Sequence, residues 1–466
     1  MIRSDSTICA IATGTGGAIS IIRVSGKDCL KIISNIFFPL DKNCNITNSK
    51  GFTVIFGEIR DNDKLIDEAL LSVFRAPNSY TGEDAAEISC HASSYIVKKT
   101  LELLIDKGAT HALPGEFTQR AFLNGKIDLS QAEAVADVIA SSSEMSHKVA
   151  INQMRGGFSA EIQKLRSELL NFASLIELEL DFGEEDVEFA DRGELKNTIV
   201  QLKNITNNLL DSFTFGNALR NGIPIVIAGK PNSGKSTLLN ALLNEEKAIV
   251  SDIPGTTRDV IEDTIVIEGI EFRFIDTAGL RETSDIVETM GIKKTIDKLS
   301  QASIVALIDE ITEKPEEINT RINYIGKIIE DSGAKLIVLI NKCDLASAES
   351  FNELQKSIRG VDSESLICIS AKQQTGLEAF KNRLTAIIKN KFRPDSVIIT
   401  NIRHYEALKK ISSSLERIAQ GLEQGIPDDL ISIDIRQAIH YLGEITGTIT
   451  TDEILGNIFA NFCIGK

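Results

Sequence analysis

Histidine is scarce in this 466-residue chain. There are five, none in an HExxH or similar cluster, so a transition-metal centre is not expected. Cysteine is thin and scattered: Cys9, Cys29, Cys44, Cys90, Cys343, Cys368 and Cys463 lie far apart, form no CxxC and are odd in number. That pattern argues against a disulfide framework or a zinc site and predicts reduced thiols in a cytosol. No apolar run approaches the length of a membrane span, and Met1 to Asp5 lack the start of a secretory signal. A cytoplasmic protein without a membrane partner is therefore expected. Positive charge is also short, with 50 basic residues against 66 acidic ones and a net charge of −16. Bulk charge alone will not hold nucleic acid. The basic stretch 381–410 (Lys381, Arg383, Lys389, Lys391, Arg393, Arg403, Lys409, Lys410) reads as a solvated helix face and linker in preference to a phosphate patch.

What is present suffices for two or three domains. Residues 1–125 predict a mixed α/β domain, with strand-type runs at 18–24 and 69–74 and a helical pattern over 93–106. From 126 the pattern turns helical. Ile162, Leu165, Leu169, Phe172 and Ile176 recur at three or four residues, as do Ile199, Leu202, Ile205, Leu209 and Phe213. Both stripes predict core packing in a bundle. After Asn221-Gly222, buried-type strands at 223–228, 272–276, 302–308, 335–340 and 365–370 alternate with helical patterns, which argues for an α/β sheet. The fold class expected is α/β plus α: an N-terminal domain over 1–125, a helical domain over 126–217 and 385–466, and an inserted P-loop domain over 218–384.

The chemistry-bearing segment is 229–236, GKPNSGKS, directly after an apolar strand and before the helical TLLNALLN. Glycines let such a loop curl so that its N–H groups face phosphate oxygens, and the helix N-terminus adds partial positive charge. Lys235 would reach the β- and γ-phosphates, and the Ser236 hydroxyl would ligate Mg²⁺. Three further tokens follow in order, each at the end of a strand pattern. Asp276-Thr277-Ala278-Gly279 would hold the Mg²⁺ shell and sense the γ-phosphate. Asn341-Lys342-Cys343-Asp344 would read guanine, because a carboxylate accepts from both N1–H and the exocyclic amine, donors adenine lacks there. Ser370-Ala371-Lys372 would cap the base. Four such tokens in order are specific where one is weak. GTP binding and hydrolysis follow. Leu280 stands where a Ras-type enzyme has its water-orienting glutamine. A cation, a partner chain, or a carboxylate from 281–288 must substitute.

The resemblance can now be stated. Pro231-Asn232-Ser233, Gly255-Thr256-Thr257-Arg258-Asp259 and Asp276 to Arg281 look like the Era-like GTPases that carry a hydrophobic residue in place of glutamine. Beyond them, PNSYTGED at 77–84, PGEFTQRAFLNGKIDLSQAEA at 114–134 and Phe462-Cys463-Ile464-Gly465-Lys466 resemble the MnmE (TrmE) family of tRNA-modification GTPases, nearly end to end. The resemblance implies an N-terminal domain that binds 5-formyltetrahydrofolate and dimerises, a helical domain and an inserted G domain. It implies a homodimer that works with the FAD- and NADH-using partner MnmG (GidA) on C5 of the wobble uridine of tRNA, adding a carboxymethylaminomethyl or aminomethyl group. It also implies K⁺-dependent dimerisation of G domains.

Residue by residue, the resemblance assigns K⁺ to Asn232, Ser251, Ile253 and Thr256, and Mg²⁺ to Ser236 and Thr257. The water-organising carboxylate is Glu288, acting with Lys235 and Thr257. The GTP set is Asn232, Ser233, Gly234, Lys235, Ser236, Thr237, Ser251, Thr256, Thr257, Asp276, Gly279, Asn341, Lys342, Asp344, Ser370, Ala371 and Lys372. Folate falls to Arg23, Glu87, Lys126 and Lys466. The chain departs from the family in its first loop, Ala12 to Gly17, which lacks the usual two prolines and a further glycine. Cys463 is read as packing or shaping that site in preference to a nucleophile, and His91 and Asp84 as polar or structural groups. A ribosome-assembly switch lacks its RNA-binding domain here, and a membrane-remodelling GTPase lacks an amphipathic basic helix.

Overall fold

The computed structural model describes residues 6–14, 16–181, 192–247, 263–275, 298–390, 397–460 and 462–465. The chain divides into two compact units, one of Met1–Ile139, Ile151–Thr206 and Ala407–Lys466, the other of Ala140–Ala150 and Asn207–Glu406.

The first unit holds a seven-stranded sheet: β1 (Ile8–Ile11), β2 (Ile19–Ser25), β3 (Phe37–Pro39), β4 (Thr53–Asp61), β5 (Lys64–Phe74), β6 (Ala85–His91) and β7 (Thr110–His111), in the order β3-β4-β5-β6-β2-β1-β7. All pairs are antiparallel except β1 with β7. Strand alternation puts Ile55 and Ile59 of β4 in the core, with Leu71 and Val73 of β5, among residues from the helices Cys29–Ile33 and Ser94–Asp106. Gly57 sits where β4 passes β3, since a Cβ there would lie 2.5 Å from the Phe37 ring. The opposite face shows apolar side chains to solvent, with Val54 62%, Phe56 48% and Leu70 45% exposed. In the same unit, the helix Gly157–Asp181 packs with Asp428–Thr446. Its stripe of Ile162, Leu165, Leu169, Phe172 and Ile176 is buried, as the periodicity predicts. In the second stripe, Ile199, Leu202 and Leu209 are buried and Ile205 and Phe213 partly so.

The second unit is built on a six-stranded sheet: β8 (Ile223–Ala228), β9 (Asp263–Ile267), β10 (Ile270–Phe274), β11 (Ile304–Glu310), β12 (Lys335–Asn341) and β13 (Leu366–Cys368), in the order β13-β12-β11-β8-β10-β9. It is parallel throughout except for β9 with β10. Alternate residues feed two cores. Ile225, Ile227, Ile304 and Ile308 join the core that includes the helices Lys235–Lys247 and Leu377–Lys389, while Val226, Val305, Leu307 and Val338 join the one that includes Pro315–Ile329. Burial on both faces is why these strands read as unbroken apolar runs. The expected strands are all present, with bounds shifted by up to two residues in 272–276, 302–308 and 365–370. The hairpin β9–β10 is an addition. It turns on Glu268 (φ 49°) and Gly269 (φ 75°), a two-residue turn whose positive φ at both positions suits strand twist.

Among the described residues, no helix is long and apolar enough to cross a membrane. Part of the basic stretch 381–410 is engaged in ion pairs, Lys381 with Glu378, Arg383 with Asp362 and Glu364, and Lys389 with Glu268, while Lys410 lies over the Tyr441 ring.

Candidate functional site

The loop 229–236 leaves β8 and enters the helix Lys235–Lys247. Two glycines are obligatory. A Cβ on Gly229 (φ 153°) would sit 2.3 Å from the Ile308 carbonyl oxygen, and one on Gly234 (φ 103°) 2.1 Å from Asn341 Nδ2. Asn232 is exposed at the loop crest with a left-handed backbone, φ 63°. Lys235 Nζ donates to the carbonyls of Gly229 (3.0 Å) and Lys230 (2.7 Å). Burial pushes its ammonium below the usual lysine range. Among the described residues this half-buried cation meets neutral carbonyls, at a helix N-terminus, an arrangement that suits a phosphate. Ser236 stands beside it in the first turn, and Thr237 follows on the exposed side.

Ser233 contributes its backbone, not its side chain. Asn341 Nδ2 donates to the Ser233 carbonyl at 2.8 Å, and the Ser233 hydroxyl is buried with no hydrogen-bond partner among the described residues. Ser233→Ala is therefore expected to leave nucleotide binding unchanged and to hold or raise stability by up to about 1 kcal/mol, read by denaturant unfolding.

The loops expected to read the base lie at the C-terminal ends of β12 and β13. Asn341 is a clamp: while Nδ2 holds the P-loop, Oδ1 accepts from the Ala371 N–H at 3.0 Å. Asp344 is exposed at the short turn Cys343–Leu345, and its Oδ1 accepts from Ser370 Oγ at 2.6 Å, which fixes the carboxylate. Ser370 N–H and carbonyl pair with Thr375. Lys342 (φ 63°) is paired with Glu310, and Lys372 is exposed. Cys343 and Cys368 are joined as a disulfide, which corrects the expectation of seven free thiols. The cause is the parallel pairing of Ile340 with Cys368, which leaves the turn after Asn341 beside that strand.

Sequence reading missed a charged group beside the P-loop. Lys230 Nζ lies 2.9 Å from Glu313 and 2.6 Å from Glu317. Arg321 binds Glu313 at 2.5 Å and the fully buried Asp309 at 2.9 Å. Burial pushes the Asp309 carboxyl up, against the pull of Arg321. Ser251, Ile253, Thr256, Thr257, Asp276, Gly279, Leu280, Glu288 and Lys466 lie outside the described residues.

In the first unit, Arg23 on β2 faces Glu87 on β6 across the register pair, with Nε–Oε1 at 2.9 Å. Its guanidinium carbon is 5.6 Å from the ring centres of Tyr80 and Phe117, and Nη1 donates to the Gly465 carbonyl at 3.2 Å. Lys126 Nζ donates to the Pro77 carbonyl at 2.9 Å, and its stem lies against Gly82. The segment 77–84 thus links the Lys126 and Arg23 positions. Behind it lies a group the sequence did not announce. Buried Arg120 holds Glu83 (3.2 Å) and Glu116 (2.9 Å), and Glu83 also accepts from Ser25 Oγ at 2.8 Å. His91 is bound to Asp67 and Asp84 to Arg75, not to each other. Cys463 is exposed, and its carbonyl accepts from the Gly115 N–H at 3.3 Å.

A P-loop turn clamped by one asparagine to the loops after β12 and β13, on a sheet of this order, defines a P-loop G domain. The comparisons with known proteins narrow the class. Residues 7–126 match the family model described as GTP-binding protein TrmE N-terminus, and 129–463 match that of the MnmE helical domain. The chain is 51% identical to the tRNA modification GTPase MnmE of Flavobacterium johnsoniae over all of both chains. It is 50% identical to that of Bacteroides thetaiotaomicron (99% of this chain, 100% of the other) and 50% to that of Cytophaga hutchinsonii (99% and 98%). The chain belongs to the MnmE family.

Proposed function

We propose that this chain binds and hydrolyses GTP and spends that cycle on tRNA modification, at C5 of the wobble uridine. The observation that carries the GTP reading is the Asn341 clamp, which brings the Lys235 cradle and the Asp344 carboxylate into one site. The tRNA reading rests on family membership over the whole chain. Three parts share the work: 1–125, the helical 126–217 with 385–466, and the G domain 218–384. The two family models meet near the first of these boundaries.

Mg²⁺ would be held by Ser236 and Thr257, of which Ser236 stands beside the Lys235 cradle. K⁺ would be held by Asn232, Ser251, Ile253 and Thr256. Asn232 suits that role in being exposed on a loop crest where a second G domain can close over it. Such a cation supplies the positive charge that an arginine supplies in other GTPases. Glu288 takes the place of the missing glutamine. A folate derivative such as 5-formyltetrahydrofolate would be held by Arg23, Glu87, Lys126 and Lys466. The Arg23–Glu87 pair flanked by Tyr80 and Phe117 suits a flat heteroaromatic with donor and acceptor edges. A homodimer is supported by the exposed apolar face of Val54, Phe56 and Leu70. The FAD-dependent partner MnmG would complete the one-carbon chemistry in the cytoplasm.

The deciding measurement is GTP turnover in KCl against NaCl at equal ionic strength. Turnover is expected to rise at least about tenfold in KCl, within the range a transition-state cation supplies. Equal, slow turnover in both salts would remove K⁺ and the dimerising G domain from this reading.

A further inference from the structure

Lys230 occupies a P-loop position that the phosphate-binding pattern leaves open. Two facts single it out. Its carbonyl is one of the two that hold Lys235 Nζ, at 2.7 Å. Its own Nζ is bound to Glu313 and Glu317, 2.9 and 2.6 Å away. Those carboxylates are not loose. Glu317 is in the first turn of the helix Pro315–Ile329, which Ile318, Ile322, Ile325 and Ile329 bury against the sheet. Glu313 is held by Arg321, and Arg321 is held by Asp309, fully buried on β11. An isolated exposed ion pair contributes little. This one is the outer end of a network rooted in the core, and its inner end is the backbone that must stay curled around phosphate.

We propose that Lys230 is a positioning residue for the nucleotide: strapped to Glu317 and Glu313, it holds the P-loop in its binding-competent shape before GTP or GDP arrives. This rests on the GTP reading above. The strap lowers the ordering cost of binding. A rival account is plain electrostatics, in which Lys230 attracts the phosphates and Glu317 repels them. The two accounts give opposite signs for one substitution. Glu317→Gln removes a negative charge near the phosphates, so electrostatics alone predicts tighter binding. The strap predicts weaker binding.

The test is titration of the full-length protein with a fluorescent GDP analogue, followed by steady-state GTP turnover. For Glu317→Gln, affinity for GDP and GTP is expected to fall about three- to tenfold, the range set by ordering one or two side chains. KM for GTP should rise in step while kcat at saturation is retained. Lys230→Met should weaken binding as well, and Lys230→Arg, which keeps both ion pairs, should restore it. Glu317 is half exposed, so loss of folding does not confuse the result. Equal or tighter binding by Glu317→Gln, with wild type binding normally, overturns the strap. Wild-type protein that binds no guanine nucleotide overturns the GTP reading first and the strap with it.

Discussion

Asp344→Asn is expected to cost the protein its guanine preference and to transfer that preference to xanthine. The carboxylate is held by Ser370 at 2.6 Å, and the clamp from Asn341 to the Ala371 N–H fixes the loop that carries Ser370. It can therefore meet N1–H and the exocyclic amine of guanine together. An amide offers one acceptor and one donor, so a donor faces a donor. A site built to bind one pattern of polar groups rejects the mismatched pattern by about 10⁴-fold. Xanthine carries a carbonyl where guanine carries the amine, and the asparagine N–H₂ fits it. Competition of GTP, XTP and ITP against a fluorescent nucleotide measures the exchange. Retained guanine preference in the variant would rule out Asp344 as the base reader.

Arg120→Met should produce the largest loss of stability, and it should be confined to the first unit. Arg120 is buried and is shared between Glu83 and Glu116, with Ser6 O a further acceptor at 2.8 Å. Removing it takes the shared cation from two carboxylates, Glu116 buried and Glu83 largely so, and leaves them only the hydrogen bonds from the Leu113 N–H and Ser25 Oγ. Breaking a buried pair from one side costs about 3–5 kcal/mol, because the leftover charge remains desolvated. Calorimetry can separate the units, since GDP raises only the transition of the unit that binds it. The other transition is the one expected to fall. Adding Glu83→Gln and Glu116→Gln should recover most of the loss, because the penalty lies in the stranded charges. No recovery would mean that Arg120 acts through its packing.

Legibility followed the range over which each feature is encoded. The strands of the G domain stood out because both faces are buried, so β8, β11 and β12 are continuous apolar runs. The P-loop and Asn341-to-Asp344 stood out because each is a short contiguous token. The N-terminal sheet was half hidden. Its strands alternate core residues with Glu58, Arg60, Glu87 and Ser89, which dilutes the apolar signal. The hairpin β9–β10 was hidden because glutamate, not asparagine, takes the first left-handed turn position. The ion-pair groups around Arg120 and Lys230 join residues tens of positions apart, and nothing local marks them. The Cys343–Cys368 bond was hidden for the same reason, because only strand pairing makes 25 residues of separation short.

The hydrogen bond from Arg23 to the Gly465 carbonyl spans 442 positions of chain, and Gly465 is so close to Ile11 that a Cβ would lie 2.1 Å from its carbonyl oxygen. Chains fold as they leave the ribosome, N-terminal parts first. The strands around Arg23 are made early and can pair with one another at once. The wall supplied by residues 462–465 arrives only after the P-loop and the loops that follow β12 and β13 have been synthesised. The nucleotide site is thus finished before the Arg23 site is, and a nascent or truncated chain that stops short of Phe462 would carry the first without the second.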